Sequence, residues 1–152
     1  MRDFVSDRAK NIKPSGIRKF FDLVAGSKDV ISLGVGEPDF ITPWEIRTAG
    51  ISAIQKGFTQ YTSNSGLIEL RQSISEYLLD RFNVKFDKSQ IVITLGASEA
   101  IDLALRATVN LDDEILVPDP SYVSYAPLVE LVGGKPVSIP CRTENGFKIL
   151  PE

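Results

Sequence analysis

The feature that most constrains this chain is an alternation of short apolar runs with amphipathic segments. Ile91-Val92-Ile93, Ile115-Leu116-Val117 and Pro136-Val137-Ser138-Ile139 are separated by stretches whose apolar residues recur at helical spacing. Strands joined through whole helices need crossovers, and crossovers leave the strands parallel with helices covering the sheet. The pattern therefore reads as α/β, a mainly parallel sheet flanked by helices. Only three or four strands can be recognised, so the sheet reads as partial.

Element by element, the spacing predicts a helix over 15–25, closed by Gly26, and a strand in "DVISL" running up to Gly34. Thr42-Pro43-Trp44-Glu45 has the form of a capping box, opening a helix to about Lys56. Leu67, Leu70, Ile74, Tyr77, Leu78 and Phe82 predict an amphipathic helix over 66–83 with its apolar stripe on the core. A strand over 90–95, a helix over 97–109, a strand over 114–117, a helix over 122–132 ended by Gly133-Gly134, and a strand over 135–140 complete the series.

Composition removes several function classes. The 152 residues carry a formal charge of −3, which gives no general attraction to nucleic acid or to an anionic membrane. There is no histidine, so histidine-based triads and most zinc sites are excluded, and no metal site is expected. Cys141 is the single cysteine; it can form no internal disulfide and reads as packing filler. The start "MRDFVSDRAK" is too charged for a signal peptide, and no apolar run reaches the ~18 residues of a membrane span. A cytoplasmic protein is expected.

The stretch "TLGASEAID" is where function enters. A β-branched run hands over to a helical pattern through Gly96-Ala97-Ser98, three of the smallest residues available. In open α/β sheets ligands gather at the carboxyl ends of strands, where the following helix presents its first N–H groups and a positive dipole end. A phosphate fits such a place, with the Ala97 and Ser98 N–H groups and the Ser98 hydroxyl as donors. Close packing of helix on strand accounts for the same small residues equally well, and the junction alone leaves both readings open. It is neither a P-loop nor a dinucleotide fingerprint, and Gly34-Val35-Gly36 is only a Gly-x-Gly. Tyr122 and Tyr125 follow the next strand and bring aromatic rings toward the same region, although each alone suits a core role better.

Taken in order, "SLGVGEPDF", "YTSNSGLIELR", "TLGASEAI" and "PDPSYVSYAP" resemble the successive N-terminal motifs of the class I/II aminotransferases, fold-type-I enzymes that use pyridoxal 5′-phosphate. The resemblance runs from about Arg8 to Glu152 and implies an aspartate/aromatic aminotransferase-like fold. Residues 1–40 would form an N-terminal arm and small-domain segment, and residues 41–152 the front of the large cofactor-binding domain. It assigns Gly96, Ala97 and Ser98 to the cofactor phosphate and Tyr122 to stacking on the pyridine ring. Tyr61 is assigned to the phosphate of a neighbouring subunit's cofactor, which implies a homodimer. Gly36, Gly34 and Ile17 would lie beside the substrates, an amino acid and a 2-oxo acid.

The same resemblance implies that the Schiff-base lysine lies beyond Glu152, together with the aspartate at the pyridine nitrogen and the arginine that clamps the α-carboxylate. Lys10, Lys13, Lys19, Lys28, Lys56, Lys85, Lys88, Lys135 and Lys148 sit in no comparable motif and read as surface charges. No residue is named catalytic, and the chain by itself is expected to be inactive. A same-fold lyase or synthase, or a shortened non-catalytic binding module, remain as alternatives. Glu99 reads as helix capping, and an uncovered sheet edge and apolar face would favour association.

Overall fold

The computed structural model describes residues 3–14, 16, 31, 36 and 38–151. In chain order the elements are α1 (Asp7–Asn11), α2 (Trp44–Gln55), α3 (Ile68–Phe82), a 3-10 turn (Lys88–Gln90), α4 (Gly96–Thr108), β1 (Glu114–Asp119), α5 (Tyr125–Val132), β2 (Lys135–Pro140) and a second 3-10 turn (Thr143–Asn145). They fall into two compact units, one formed by residues 1–30 and 95–152 and the other by residues 31–94. The helix expected over 15–25 and the strand of "DVISL" lie, but for Gly16 and Ile31, outside the described residues.

In the 31–94 unit, α2 begins one residue later than a Thr42 capping box requires. Pro43 is the N-cap, with φ −50° and ψ 144°, and no side chain caps the helix. A box needs its hydroxyl on the boundary residue itself, and Thr42 stands one place outside it. Glu45 is left in the first turn, where its charge suits the positive end of the helix.

The helix expected from residue 66 starts at Ile68: Gly66 has φ +93°, a left-handed conformation that turns the chain ahead of the helix, and Leu67 is its N-cap. A Cβ there would stand 2.5 Å from Ile93 Cγ1, so only glycine fits. α3 ends at Asn83, also left-handed with φ 54°, whose N–H donates to the Leu79 carbonyl at 2.9 Å. On its other flank, Arg71 Nη1 donates to the Lys88 carbonyl at 3.1 Å and Ser75 Oγ to the Phe86 carbonyl at 2.5 Å.

Two expectations are corrected in this unit. The apolar stripe of α3 is not sealed in a core: Ile74 and Leu78 are half-buried, whereas Leu70, Tyr77 and Phe82 are exposed. A helix buries its stripe only where a partner covers it, and the chain packed on α3 here is the short 3-10 segment. The strand expected over 90–95 forms no ladder among the described residues. Ile91 is extended (φ −113°, ψ 130°), but the Ile93 N–H donates to the Ser65 carbonyl at 3.0 Å, in a turn.

The other unit is built on β1-α5-β2. The two strands pair in parallel, in register from Glu114 opposite Lys135 to Asp119 opposite Pro140, with α5 as the crossover. This is the parallel pairing that the alternating pattern demanded. α5 starts at Tyr125, three residues after the expected start. Pro127 has no N–H to donate to the Val123 carbonyl, so the first full helical bond is Leu128 N–H to the Ser124 carbonyl at 3.0 Å. Tyr122 is thereby left in the loop ahead of the helix. Gly133 (φ +92°) ends α5, and Gly134 lets the chain return close to it.

Among the described residues Val129, Gly134 and Cys141 are buried, the first in α5 and the others flanking β2 on either side. α1 docks on α5: Arg8 Nη1 donates to the Leu131 carbonyl at 3.3 Å, and Ser6 Oγ caps α1 by accepting from the Ala9 N–H at 3.3 Å. Lys10 pairs with Asp3 at 2.5 Å. Cys141 packs as an apolar group beside the Ile139 carbonyl.

Candidate functional site

The N-terminus of α4 is shaped by three adjacent residues. Gly96 opens the helix with φ +82°, a conformation open to glycine and strained for other residues, and nothing lies within 4 Å of where its Cβ would be. The backbone turns sharply there and keeps open space beside it. The first N–H groups of a helix have no intrahelical acceptor, which applies here to Ala97 and Ser98, both solvent-exposed.

A carboxylate already sits at this end of the helix, but on a different donor. Glu99 accepts from the Leu95 N–H, on the N-cap residue. Glu99 therefore caps the helix, as its place in the sequence suggested, and does so without occupying the Ala97 or Ser98 N–H. Farther along α4, Asp102 pairs with Arg106 at 2.8 Å, which raises the guanidinium above its ordinary range by hydrogen bond and charge.

The carboxyl end of β1 provides a second part of the unit. Tyr122 is 55% exposed. Beside it lies an open cavity of about 280 Å³ bordered by Asp119, Tyr122, Ala126, Pro136 and Ser138, in which Ser138 Oγ is 3.4 Å from Asp119 Oδ2. Tyr125 stands edge-on to Tyr122, with centroids 5.8 Å apart and planes at 71°. Neither contact was legible in the sequence: the ring pair depends on the exact turn between Tyr122 and Tyr125, and the Asp119–Ser138 contact on how the β1-α5-β2 crossover closes.

Gly96, Ala97, Ser98 and Tyr122 thus belong to one compact unit. Tyr61 and Gly36 belong to the other; Tyr61 is fully exposed, and Gly36 has open space on its Cβ side. Gly34 and Ile17 lie outside the described residues. No group of three or more metal-ligating side chains exists among the described residues, and none of their helices is long and apolar enough to cross a membrane.

Comparison with known proteins defines the class to which such a fold and junction belong. The family model for aminotransferase class I and II matches residues 28–152, and the chain belongs to that family. It is 47% identical over 146 residues to the aspartate aminotransferase of Pyrococcus abyssi, covering 95% of this chain and 38% of that protein. With the aromatic-amino-acid aminotransferase 2 of Thermococcus litoralis it shares 44% over 146 residues, again 95% of this chain and 38% of the other. The solved structure of the Thermus thermophilus aspartate aminotransferase with maleate superposes with a TM-score of 0.90 at 30% identity, covering 100% of this chain and 40% of that one. The fold is therefore that of the fold-type-I aminotransferases, a family dependent on pyridoxal 5′-phosphate. The chain spans about 38% of the length of the curated relatives it matches.

The residues present fit that group. Gly96 has open space on its Cβ side, Ala97 and Ser98 offer donors, and Tyr122 offers an aromatic ring that is more than half exposed.

Proposed function

We propose that this chain is the front, cofactor-binding part of a pyridoxal-phosphate-dependent aminotransferase that moves an amino group between an amino acid and a 2-oxo acid. Residues 1–40 serve as the arm and small-domain segment, and residues 41–152 as the start of the large domain. The enzyme works as a cytoplasmic homodimer in amino-acid metabolism. The observation that carries this reading is the junction at Gly96: a left-handed glycine with open space beside it, leading into a helix whose Ala97 and Ser98 N–H groups lack intrahelical acceptors.

The bound cofactor supplies the electron sink for chemistry at the amino-acid Cα. The chain's own residues bind and orient. The Ala97 and Ser98 N–H groups and the Ser98 hydroxyl hold the phosphate dianion, aided by the helix dipole. Tyr122 lies against the flat ring and limits its tilt. Tyr61 reaches the phosphate from the partner subunit, so dimerisation completes the site. Gly36, Gly34 and Ile17 border the substrate, the glycines because a side chain would fill its space.

No residue of this chain takes the role of Schiff-base lysine, so Met1–Glu152 alone turns over no substrate. A coupled assay with aspartate and 2-oxoglutarate should show no rate above that of free cofactor. Binding is tested separately, with pyridoxamine 5′-phosphate, which lacks the aldehyde that would modify surface lysines at random. Titrated into the 15N-labelled chain, it should shift the Ala97 and Ser98 amide resonances first. Shifts scattered over the lysine-bearing surface, with those two amides unmoved, would reject the site.

A further inference from the structure

Tyr122 sits in the loop before α5 and is more than half exposed, so its own packing does little to hold its ring in one plane. A stacking platform that must be ordered when its ligand arrives loses affinity to the entropy of that ordering. Tyr125 supplies the missing constraint. Its ring meets Tyr122 in the T-shaped arrangement that aromatic quadrupoles favour, with centroids 5.8 Å apart and planes at 71°. Its N–H also donates to the Tyr122 carbonyl at 3.1 Å, which closes the intervening turn.

Tyr125 is less exposed than Tyr122. It is half-buried and lines an apolar cleft of about 300 Å³ with Ile101 and Leu105 of α4, Val117 and Pro118 of β1, and Val129, the most buried side chain described. One wall of that cleft is α4, the helix whose first turn carries Ala97 and Ser98. The side chain that meets the ring platform edge-on thus shares a cleft with the helix that would hold the phosphate.

We propose that Tyr125 is a positioning residue, which fixes the plane of Tyr122 relative to α4 and so sets how well the cofactor ring is held once the phosphate is bound. The inference rests on the reading of Tyr122 as the stacking residue and of the α4 N-terminus as the phosphate site. It separates Tyr125 from the apolar residues around it, because its effect falls on the ring and spares the phosphate.

The test titrates the chain with pyridoxamine 5′-phosphate and, separately, with inorganic phosphate, following the Ala97 and Ser98 amides. Tyr125→Leu should weaken the first roughly three- to tenfold and leave the second unchanged, while Tyr125→Phe, which keeps the ring, retains both affinities. An equal loss for both ligands in Tyr125→Leu would make the residue a structural element only and overturn the proposal. So would a pyridoxamine phosphate affinity unchanged by Tyr125→Leu while Tyr122→Leu lowers it, an outcome that leaves the functional reading standing. If Tyr122→Leu has no effect, or the unaltered chain binds neither ligand, the functional reading falls and this inference with it.

Discussion

A Cβ placed on Gly134 would stand 3.0 Å from Val129 Cγ1 and 3.0 Å from Val109 Cγ1, so the return from α5 into β2 passes between these two side chains with little room for one of its own. The Asp113 carbonyl closes the third side at 3.3 Å. None of these neighbours is the loose end of a long side chain. Gly134→Ala should therefore destabilise the chain by about 1–3 kcal/mol, the usual cost of overpacking, and Gly134→Val by more. Denaturant midpoints at constant slope measure this; an unchanged midpoint for Gly134→Ala would show that α5 can shift away freely.

At the α4 junction, backbone donors can be removed without removing the helix. Proline is tolerated in the first helical turn, so Ala97→Pro deletes one N–H while α4 persists. A hydrogen bond to a charged group contributes about 1.5–3 kcal/mol, which predicts a loss of phosphate affinity of roughly tenfold or more. Gly96→Val should abolish binding, because it strains a left-handed residue and fills the open space at once. Isothermal titration with inorganic phosphate reads both, and tight binding by Gly96→Val would place the anion elsewhere.

Self-association should be measurable. Leu116 on β1 is 65% exposed, and the apolar cleft beside Tyr125 opens outward. Such surfaces recruit a partner, whether further polypeptide or a second copy. Light scattering of Met1–Glu152 should report a mass above the 16.7 kDa of one chain, rising with concentration. A constant monomer mass across the range would contradict this.

The 3-10 turn beneath α3 should loosen in acid. Asp87 caps it by accepting from the Ser89 hydroxyl and N–H, and those bonds hold its carboxyl below the usual carboxylate range. A carboxyl depressed in the folded chain stabilises the fold above its unfolded pKa, and that contribution is lost as pH falls through the folded value. The Ser89 amide resonance should therefore move toward its random-coil position at a pH below the titration of an ordinary aspartate. A Ser89 amide that follows the ordinary aspartate titration would mean that the cap is not formed in solution.

Much of the fold was legible in the sequence because its signals are local. The parallel β1-α5-β2 unit follows from two apolar runs, one helical repeat and the paired glycines at 133 and 134, all within one stretch of chain. The helix start at Gly96-Ala97-Ser98 was legible for the same reason, since a sharp turn suits glycine and the strand-like run stops there. Pro127 also carried a local instruction, deferring the start of α5, although apolar periodicity alone obscured it.

Tertiary structure decided the rest. Ile91-Val92-Ile93 has the composition of a strand, but a strand exists only when a neighbour accepts its hydrogen bonds, and the neighbour that Ile93 finds is the turn at Ser65. The stripe of α3 has the right period, yet burial depends on what packs over Leu70 and Tyr77. Tyr125 had the sequence signature of a core residue; its edge-on contact with Tyr122 comes from the turn that the Tyr125 N–H closes on the Tyr122 carbonyl, which apolar periodicity does not reveal. The chain by itself determined which residues could turn, cap and donate. Which of them met was settled by contacts between distant segments, because hydrogen-bond partners and buried faces are properties of pairs.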